Sequence, residues 1–169
     1  DNAQETPMTL PALCLIAVPG RRRRTLDLAR EIEKRGYAGI YSPSPFGNMS
    51  LCEALSWKTE TIPFVTALAP LYPRTVTDFA QSAAVMHDVS GGRFRLGIGV
   101  AHGPSHIRMG VTPGKPLGDI RNFVEKFRAQ DGLGALPPII IAVVPGLVLN
   151  SVQEPVDKAF STTSVRLGA

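Results

Sequence analysis

Cysteine is scarce in this chain, with only Cys14 and Cys52 present, and neither belongs to a metal-binding spacing. A disulfide scaffold and a zinc ribbon are excluded, and both thiols are expected to be buried. A reducing cytoplasm is the expected compartment. No apolar run approaches the roughly 20 residues needed to cross a bilayer, so no membrane role is expected. The opening "DNAQETPMTLPALCLIAV" lacks a basic start and a small-residue cleavage site, so secretion is not expected either. Aromatics make up 7% of the residues, and none interleaves with the one dense basic run, Arg21–Arg24. Nucleic acid is therefore the weakest partner class. The tetrad contributes most of a modest net charge of +4. It reads either as a solvated arginine-rich loop or as a site for an anionic cofactor or substrate.

What remains is an ordinary globular composition, 44% hydrophobic and 19% charged over 169 residues. Strand and helix signals alternate along it. Residues 12–18 form a continuous apolar run, as in a strand covered on both faces. Residues 25–35 follow as a helix burying Leu28, Ala29 and Ile32, with Asp27 in its first turn and Gly36 as its stop. A second strand spans 37–43, a short helix 50–59, and a third strand 61–70. A helix over 75–88 buries Phe79, Ala83 and Met86, and a fourth strand follows at 93–100. Residues 101–117 read as a long Gly/Pro loop. An amphipathic helix at 118–129 aligns Ile120, Phe123, Val124 and Phe127. A fifth strand is expected at 137–144 and a possible sixth at 146–150. Residues 1–11 read as an N-terminal extension and 151–169 as a tail of uncertain structure, all within a single domain, 1–169. Strand starts recur every 25 to 30 residues or so, the length of a βα unit.

The stretch "SGGRFRLGIGVAHGP" (90–104) invites comparison with a dinucleotide-binding loop. That fingerprint needs G-x-G-x-x-G at a strand-to-helix turn. Here the third glycine comes one residue late, and Gly97 and Gly99 fall inside the strand pattern. Glycine within a strand marks close approach of another backbone or a ligand. Consecutive βα units with buried strands fit a (β/α) barrel, whose ligand site lies beyond the strands' C-terminal ends.

Residues 66–102 resemble the third and fourth strand region of bacterial luciferase-like oxidoreductases. Arg74, Ala80, Ser90, Gly92, Arg93, Phe94, Leu96, Gly97 and Gly99 occupy the positions of that family's central motif. Residues 28–45 and 110–128 follow the same flow, and the resemblance extends over roughly 12–150. It implies a TIM-type barrel and a flavin-like cofactor, the deazaflavin F420 in the nearer branch, with FMN as the alternative. A complete barrel takes about 250 residues, and five to six strands are recognisable here. The expectation is thus a partial barrel, or one lacking segments, or one completed by a partner subunit.

By position, the resemblance places Thr66, Ala67 and Leu68 in a bulge supporting the cofactor ring, with a non-prolyl cis peptide expected there. It sets Ser42 and Ser44 near the ring's reactive edge, although "SPSP" also reads as a plain turn. Gly97 and Gly99 would pack against the cofactor or against layers of barrel side chains. His102, after the fourth strand, is the leading candidate for substrate or cofactor contact, since an imidazole can donate or accept a proton near neutrality. An exposed loop histidine is the competing reading. His106 is a weaker version of the same idea, and His87 reads as structural. Arg74 could hold a phosphate through both guanidinium arms, or simply begin a helix. The Arg21–Arg24 tetrad would suit the acidic tail of F420. The implied activity is hydride transfer between F420 and a small organic substrate. The alternatives are an FMN-dependent monooxygenase or a non-catalytic flavin-binding relative, in each case a homo-oligomer.

Overall fold

The computed structural model describes residues 10–44 and 46–141. Among the described residues there are six parallel strands: β1 (Leu13–Cys14), β2 (Ile40–Ser42), β3 (Phe64–Thr66), β4 (Ala69–Pro70), β5 (Phe94–Gly99) and β6 (Ile139–Ile141). Five helices lie between them: α1 (Arg22–Lys34), α2 (Asn48–Lys58), α3 (Val76–Val89), α4 (Gly103–Met109) and α5 (Pro116–Arg128). The sheet runs β1-β2-β3-β5-β6 in chain order, and β4 extends the line of β3 along the same edge of β5. All pairings between strands are parallel. In-order parallel strands with helices between them are the opening part of a (β/α) barrel rather than a doubly wound sheet.

Register assigns the two faces. Leu13, Ile40, Phe64 and Phe94 align on one side, and Cys14, Tyr41, Val65 and Arg95 on the other. The first set packs under the helices. α1 touches α2, α2 touches α3, and α3 touches α5, so the helical layer follows strand order. Between the layers lies one core built on Ile40, Leu55, Phe64, Phe79, Met86, Phe94, Leu96, Ile98 and Phe127. Its aromatics meet in pairs: Phe64 with Phe94, Phe79 with Phe123, and Phe123 with Phe127. The opposite, inner face is partly open. Cys14 and Arg95 are exposed on it, so the expectation that both cysteines are buried holds only for Cys52.

The helices start and stop for local reasons. Thr75 caps α3 by accepting from Asp78 N at 3.1 Å. Gly36, at φ 74, turns the chain out of α1 as a left-handed residue after the last turn. Several sequence expectations are corrected here. The arginine tetrad is not a loop: Arg21 is the N-cap of α1, and Arg22–Arg24 form its first turn, consistent with arginine's helix propensity. Asp27 therefore falls in the second turn. Leu28 is 49% exposed, because the apolar stripe runs Leu26, Ala29, Ile32 and leaves it outside. The 101–117 stretch contains α4, which Pro104 opens and left-handed Gly110 closes. The strand expected over 12–18 narrows to Leu13–Cys14, although Leu15 N still donates to Tyr41 O at 2.9 Å. Residues 1–9, and the parts of the expected fifth and sixth strands and tail beyond Ile141, lie outside the described residues.

Candidate functional site

The expected third strand is broken in the middle, and the break defines the site. Phe64 pairs with Phe94, whereas Ala69 pairs with Ile98. Five residue steps on one strand therefore face four on the other, which is a bulge. Its residues are Thr66, Ala67 and Leu68, and the Ala67–Leu68 peptide is cis.

Buried hydrogen bonds hold this irregular backbone. Thr66 Oγ1 accepts from Gly97 N at 2.9 Å and donates to Gly97 O at 2.8 Å. The hydroxyl thus takes both bonds that the ladder would have made there. Ala67 N donates to Ser42 O at 2.7 Å. Asn48, at the start of α2 and 5% exposed, donates from Nδ2 to Leu68 O at 3.0 Å and also reaches Ser42 O at 3.3 Å. Buried polar groups of this kind must be paired, and satisfied networks fix backbone position. Asn48 was not singled out from the sequence. Its only signal there is an Asn that follows Gly47 at the start of a helical pattern.

The two strand glycines are explained by this bulge. A Cβ on Gly97 would collide with the Thr66 carbonyl oxygen, and one on Gly99 would lie 2.6 Å from Leu68 Cδ1. Both positions serve close approach of the bulge to β5, with Leu68 laid across them. The result is a low shelf at the C-terminal ends of β3 and β5, made of Ala67, Leu68, Gly97 and Gly99.

The other expected residues are placed as follows. The Ser42 hydroxyl is fully buried and faces the Cys52 thiol of α2, which burial pushes up to about 12. Its oxygen has no well-formed hydrogen bond among the described residues. Ser42 thus supports the bulge through its carbonyl, and its side chain points away from the inner face. Ser44 is exposed in the bend after β2. Arg74 is exposed, with Nη1 3.2 Å from Asp78 Oδ2 at the start of α3. His102 is the N-cap residue of α4. Its imidazole is exposed, with no hydrogen bond to the described residues. Ala101 immediately before it is left-handed at φ 58, an uncommon conformation for alanine. The structure brings Ser42, Thr66, Ala67, Leu68, Gly97 and Gly99 into contact; His102, Ser44 and Arg74 stand outside that cluster.

A second network anchors the segment carrying His102. His106 Nε2 donates to Val100 O at 2.6 Å, and its ring stands edge-on to Tyr72. Tyr72 Oη donates to Asp119 Oδ2 at 2.8 Å, and that carboxylate also accepts from Gly114 N. Burial and the neighbouring carboxylate push the Tyr72 phenol up to about 12. His106 is thereby committed to holding α4 against the end of β5. His87 has the structural role expected of it, with Nδ1 3.3 Å from Phe94 O.

Two depressions flank these features. One, about 430 Å³, lies between the end of β1 and the starts of α1 and α2. The other, about 250 Å³, is lined by Arg30, Glu33, Lys34, Glu60 and Thr61 at the opposite end of the sheet. There Glu33 Oε1 accepts from the backbone amides of Glu60, Thr61 and Ile62. That second depression borders a structural clasp rather than the site. Among the described residues no cluster of side chains could hold a metal ion, and no helix is long and apolar enough to cross a membrane.

Comparison with solved structures finds the same fold. An F420-dependent secondary alcohol dehydrogenase in complex with an F420–acetone adduct matches with a TM-score of 0.65 at 16% identity, over 79% of this chain and 52% of that one. The coenzyme F420-dependent tetrahydromethanopterin reductase from Methanopyrus kandleri gives 0.61 at 18%, over 70% and 39%. The oxygenating constituent of 3,6-diketocamphane monooxygenase from Pseudomonas putida, in complex with FMN, gives 0.56 at 19%, over 68% and 38%. The chain spans about two fifths to one half of these proteins. No curated protein matches it. The family model for luciferase-like monooxygenases matches residues 7–130. This chain belongs to the luciferase-like monooxygenase family.

Proposed function

We propose that the chain forms the ring-binding part of an oxidoreductase site in which the deazaflavin F420 exchanges a hydride with a small organic substrate. The observation that supports this most is the glycine-backed bulge. At positions 97 and 99 no Cβ stands on the strand, and Leu68 covers the space. The shelf that results is apolar and shallow, which suits a flat heterocycle at the end of a barrel where ligands bind.

When bound, F420 supplies hydride chemistry at its ring, and FMN would supply in addition the reaction of its reduced form with oxygen. The chain contributes orientation and water exclusion. Thr66 and Asn48 fix the bulge backbone, and Leu68 would offer the ring an apolar contact. His102, with neither ring nitrogen bonded to a described residue, can hold or deliver one proton from an imidazole nitrogen.

FMN is the second reading, favoured by the FMN-bound Pseudomonas putida neighbour. A non-catalytic flavin-binding relative is the third reading. Anaerobic titration of the 169-residue chain with each cofactor separates the three. Saturable quenching of F420 fluorescence, followed by substrate-dependent reduction, supports the deazaflavin reading. Tight FMN binding with oxygen consumption on reduction replaces it. Binding of either without turnover leaves the non-catalytic relative. We also propose a homo-oligomer, since Leu28, Trp57 and Val85 expose large apolar side chains on successive helices; monomeric sedimentation would refute it. A reducing, cytoplasmic setting suits the free thiols of Cys14 and Cys52.

A further inference from the structure

The 430 Å³ pocket is lined by Ala17, Arg22, Leu26, Phe46, Leu51 and Ala54, together with Gly47 and Ser50. Its volume lies within the roughly 300–1,000 Å³ range of small-molecule sites. The walls are apolar, and Arg22 is the only ionisable side chain on them. Nε of Arg22 donates to Ala17 O at 3.3 Å, which seats the guanidinium at the rim. No carboxylate pairs with it among the described residues. Arg21, Arg23 and Arg24 are exposed beside it and add positive potential, with no acidic residue in the first turn of α1 to offset them. Phe46 lines the pocket, 57% exposed and left-handed at φ 67. An apolar body would cover that ring, and one anionic group would meet the guanidinium.

The pocket adjoins the shelf through the chain itself. Gly47 lines it, and the next residue, Asn48, holds the Leu68 carbonyl. We propose that it binds a monoanionic acid with an aryl or alicyclic body, its carboxylate on Arg22. Resting on the oxidoreductase reading above, such acids are the substrate class of the adjoining ring site. One cation on otherwise apolar walls selects a single charge. A polyanion such as an acidic cofactor tail would find its partners outside, along the exposed arginines.

The test is displacement of the fluorescent anion anilinonaphthalene sulfonate from the 169-residue chain, using 4-phenylbutyrate, 4-phenylbutanol and triglutamate as competitors. The acid is expected to compete best. Arg22→Gln should weaken it about tenfold while changing the alcohol less than about twofold. Arg23→Gln, off the pocket wall, removes only a neighbouring charge and should weaken the acid less than about twofold, leaving the alcohol unchanged. Ser50→Phe, at an exposed lining position, should remove the binding of both by filling the space. Circular dichroism confirms that each variant is folded, and Arg22→Gln decides alone if Ser50→Phe is not. Equal competition by acid and alcohol would overturn the proposal. So would equal losses for Arg22→Gln and Arg23→Gln, or displacement by triglutamate as effective as by 4-phenylbutyrate. F420 and FMN binding are measured on the same samples. Cofactor binding without acid binding sinks only this inference, and acid binding without cofactor binding sinks only the oxidoreductase reading.

Discussion

Replacing Gly97 with alanine should be one of the most damaging single-methyl changes available in this chain. The added Cβ would occupy the position of the Thr66 carbonyl oxygen. That atom is backbone, so no rotamer change can clear it. Relief requires the bulge to move off β5, which breaks both hydrogen bonds between Thr66 Oγ1 and Gly97. Two buried bonds are worth about 1 kcal/mol each, and forcing packed strands apart adds roughly 1–3 kcal/mol. The cost is then about 3–5 kcal/mol, a fall in Tm of roughly 6–20 °C for a chain of this size. Gly99→Ala provides the internal control. Its obstacle is Leu68 Cδ1 at 2.6 Å, the end of a flexible side chain, so its cost should be only about 1–2 kcal/mol. In a Leu68→Ala background that cost should vanish, with a coupling of about 1–2 kcal/mol. The cost of Gly97→Ala should persist there. Urea denaturation of the two single glycine variants, Leu68→Ala and both doubles reads all these values. If Gly97→Ala is neutral, or if Leu68→Ala rescues it, the close-approach explanation of the two glycines is wrong.

Four other outcomes follow from the same geometry. Glu33 is desolvated, which favours its neutral form, yet the amides of Thr61, Ile62 and Glu60 and the Thr61 hydroxyl hold its carboxyl below the usual carboxylate range. Its contribution is present above the unfolded value of about 4.3 and fades as pH falls through the lower folded value, so Glu33→Gln should destabilise at pH 7 and converge with the parent in acid, below that lowered folded value, in paired urea titrations. Tyr72 is shifted the other way, to about 12; its stabilisation should fade as pH rises from about 10 toward that value, and Tyr72→Phe should delete the highest phenol transition from an alkaline absorbance titration. Arg93 reaches Ser90 O, Thr59 Oγ1, Ile62 O, Ser56 O and Thr59 O and lies over the Phe64 ring; Arg93→Lys cannot reproduce that fork and should cost about 2–4 kcal/mol by thermal melt. His102→Ala should leave stability within about 0.5 kcal/mol, because the imidazole makes no contact that folding needs, while slowing cofactor reduction; an unchanged rate would remove His102 from the chemistry.

The alternation of elements was legible in the sequence because parallel strands buried under helices are nearly continuous apolar runs. Phe123 and Phe127 on α5, and Phe79, Ala83 and Met86 on α3, were readable for the same reason of period. The glycines at 97 and 99 announced a close approach without saying to what; the partner was a backbone 31 residues away from Gly97, which periodicity cannot reveal. Strand length was overestimated in β1 and the third strand, because apolar runs continue past the last ladder bond wherever a loop end is buried. Leu15 and Ala17, beyond β1, are such residues. The α4 helix was missed because glycine and proline were read as loop formers, whereas here they sit at its two ends. Asn48 and the Tyr72–Asp119 pair carry no local pattern at all, since their partners are distant in sequence.

The two ends of the sheet are built on different principles. At the N-terminal end, Arg93 and Glu33 gather loop carbonyls and amides into saturated clasps that tie α2 and α1 to the strands. Both charged side chains there bond mainly to backbone groups. At the C-terminal end the backbone itself is irregular: the bulge at 66–68, left-handed Phe46 after β2, and left-handed Ala101 after β5. Non-glycine residues in that region of φ each cost of order 1 kcal/mol or more and persist only where surrounding structure enforces them. Phe46 and Ala101, the two such residues among those described, lie at this end, beside the pocket and beside His102 respectively. Stabilising clasps at one end offset strained backbone at the other. Variants that relax the strained positions, Phe46→Gly and Ala101→Gly, should therefore gain backbone ease while weakening ligand binding, so that stability and function separate at this end of the sheet.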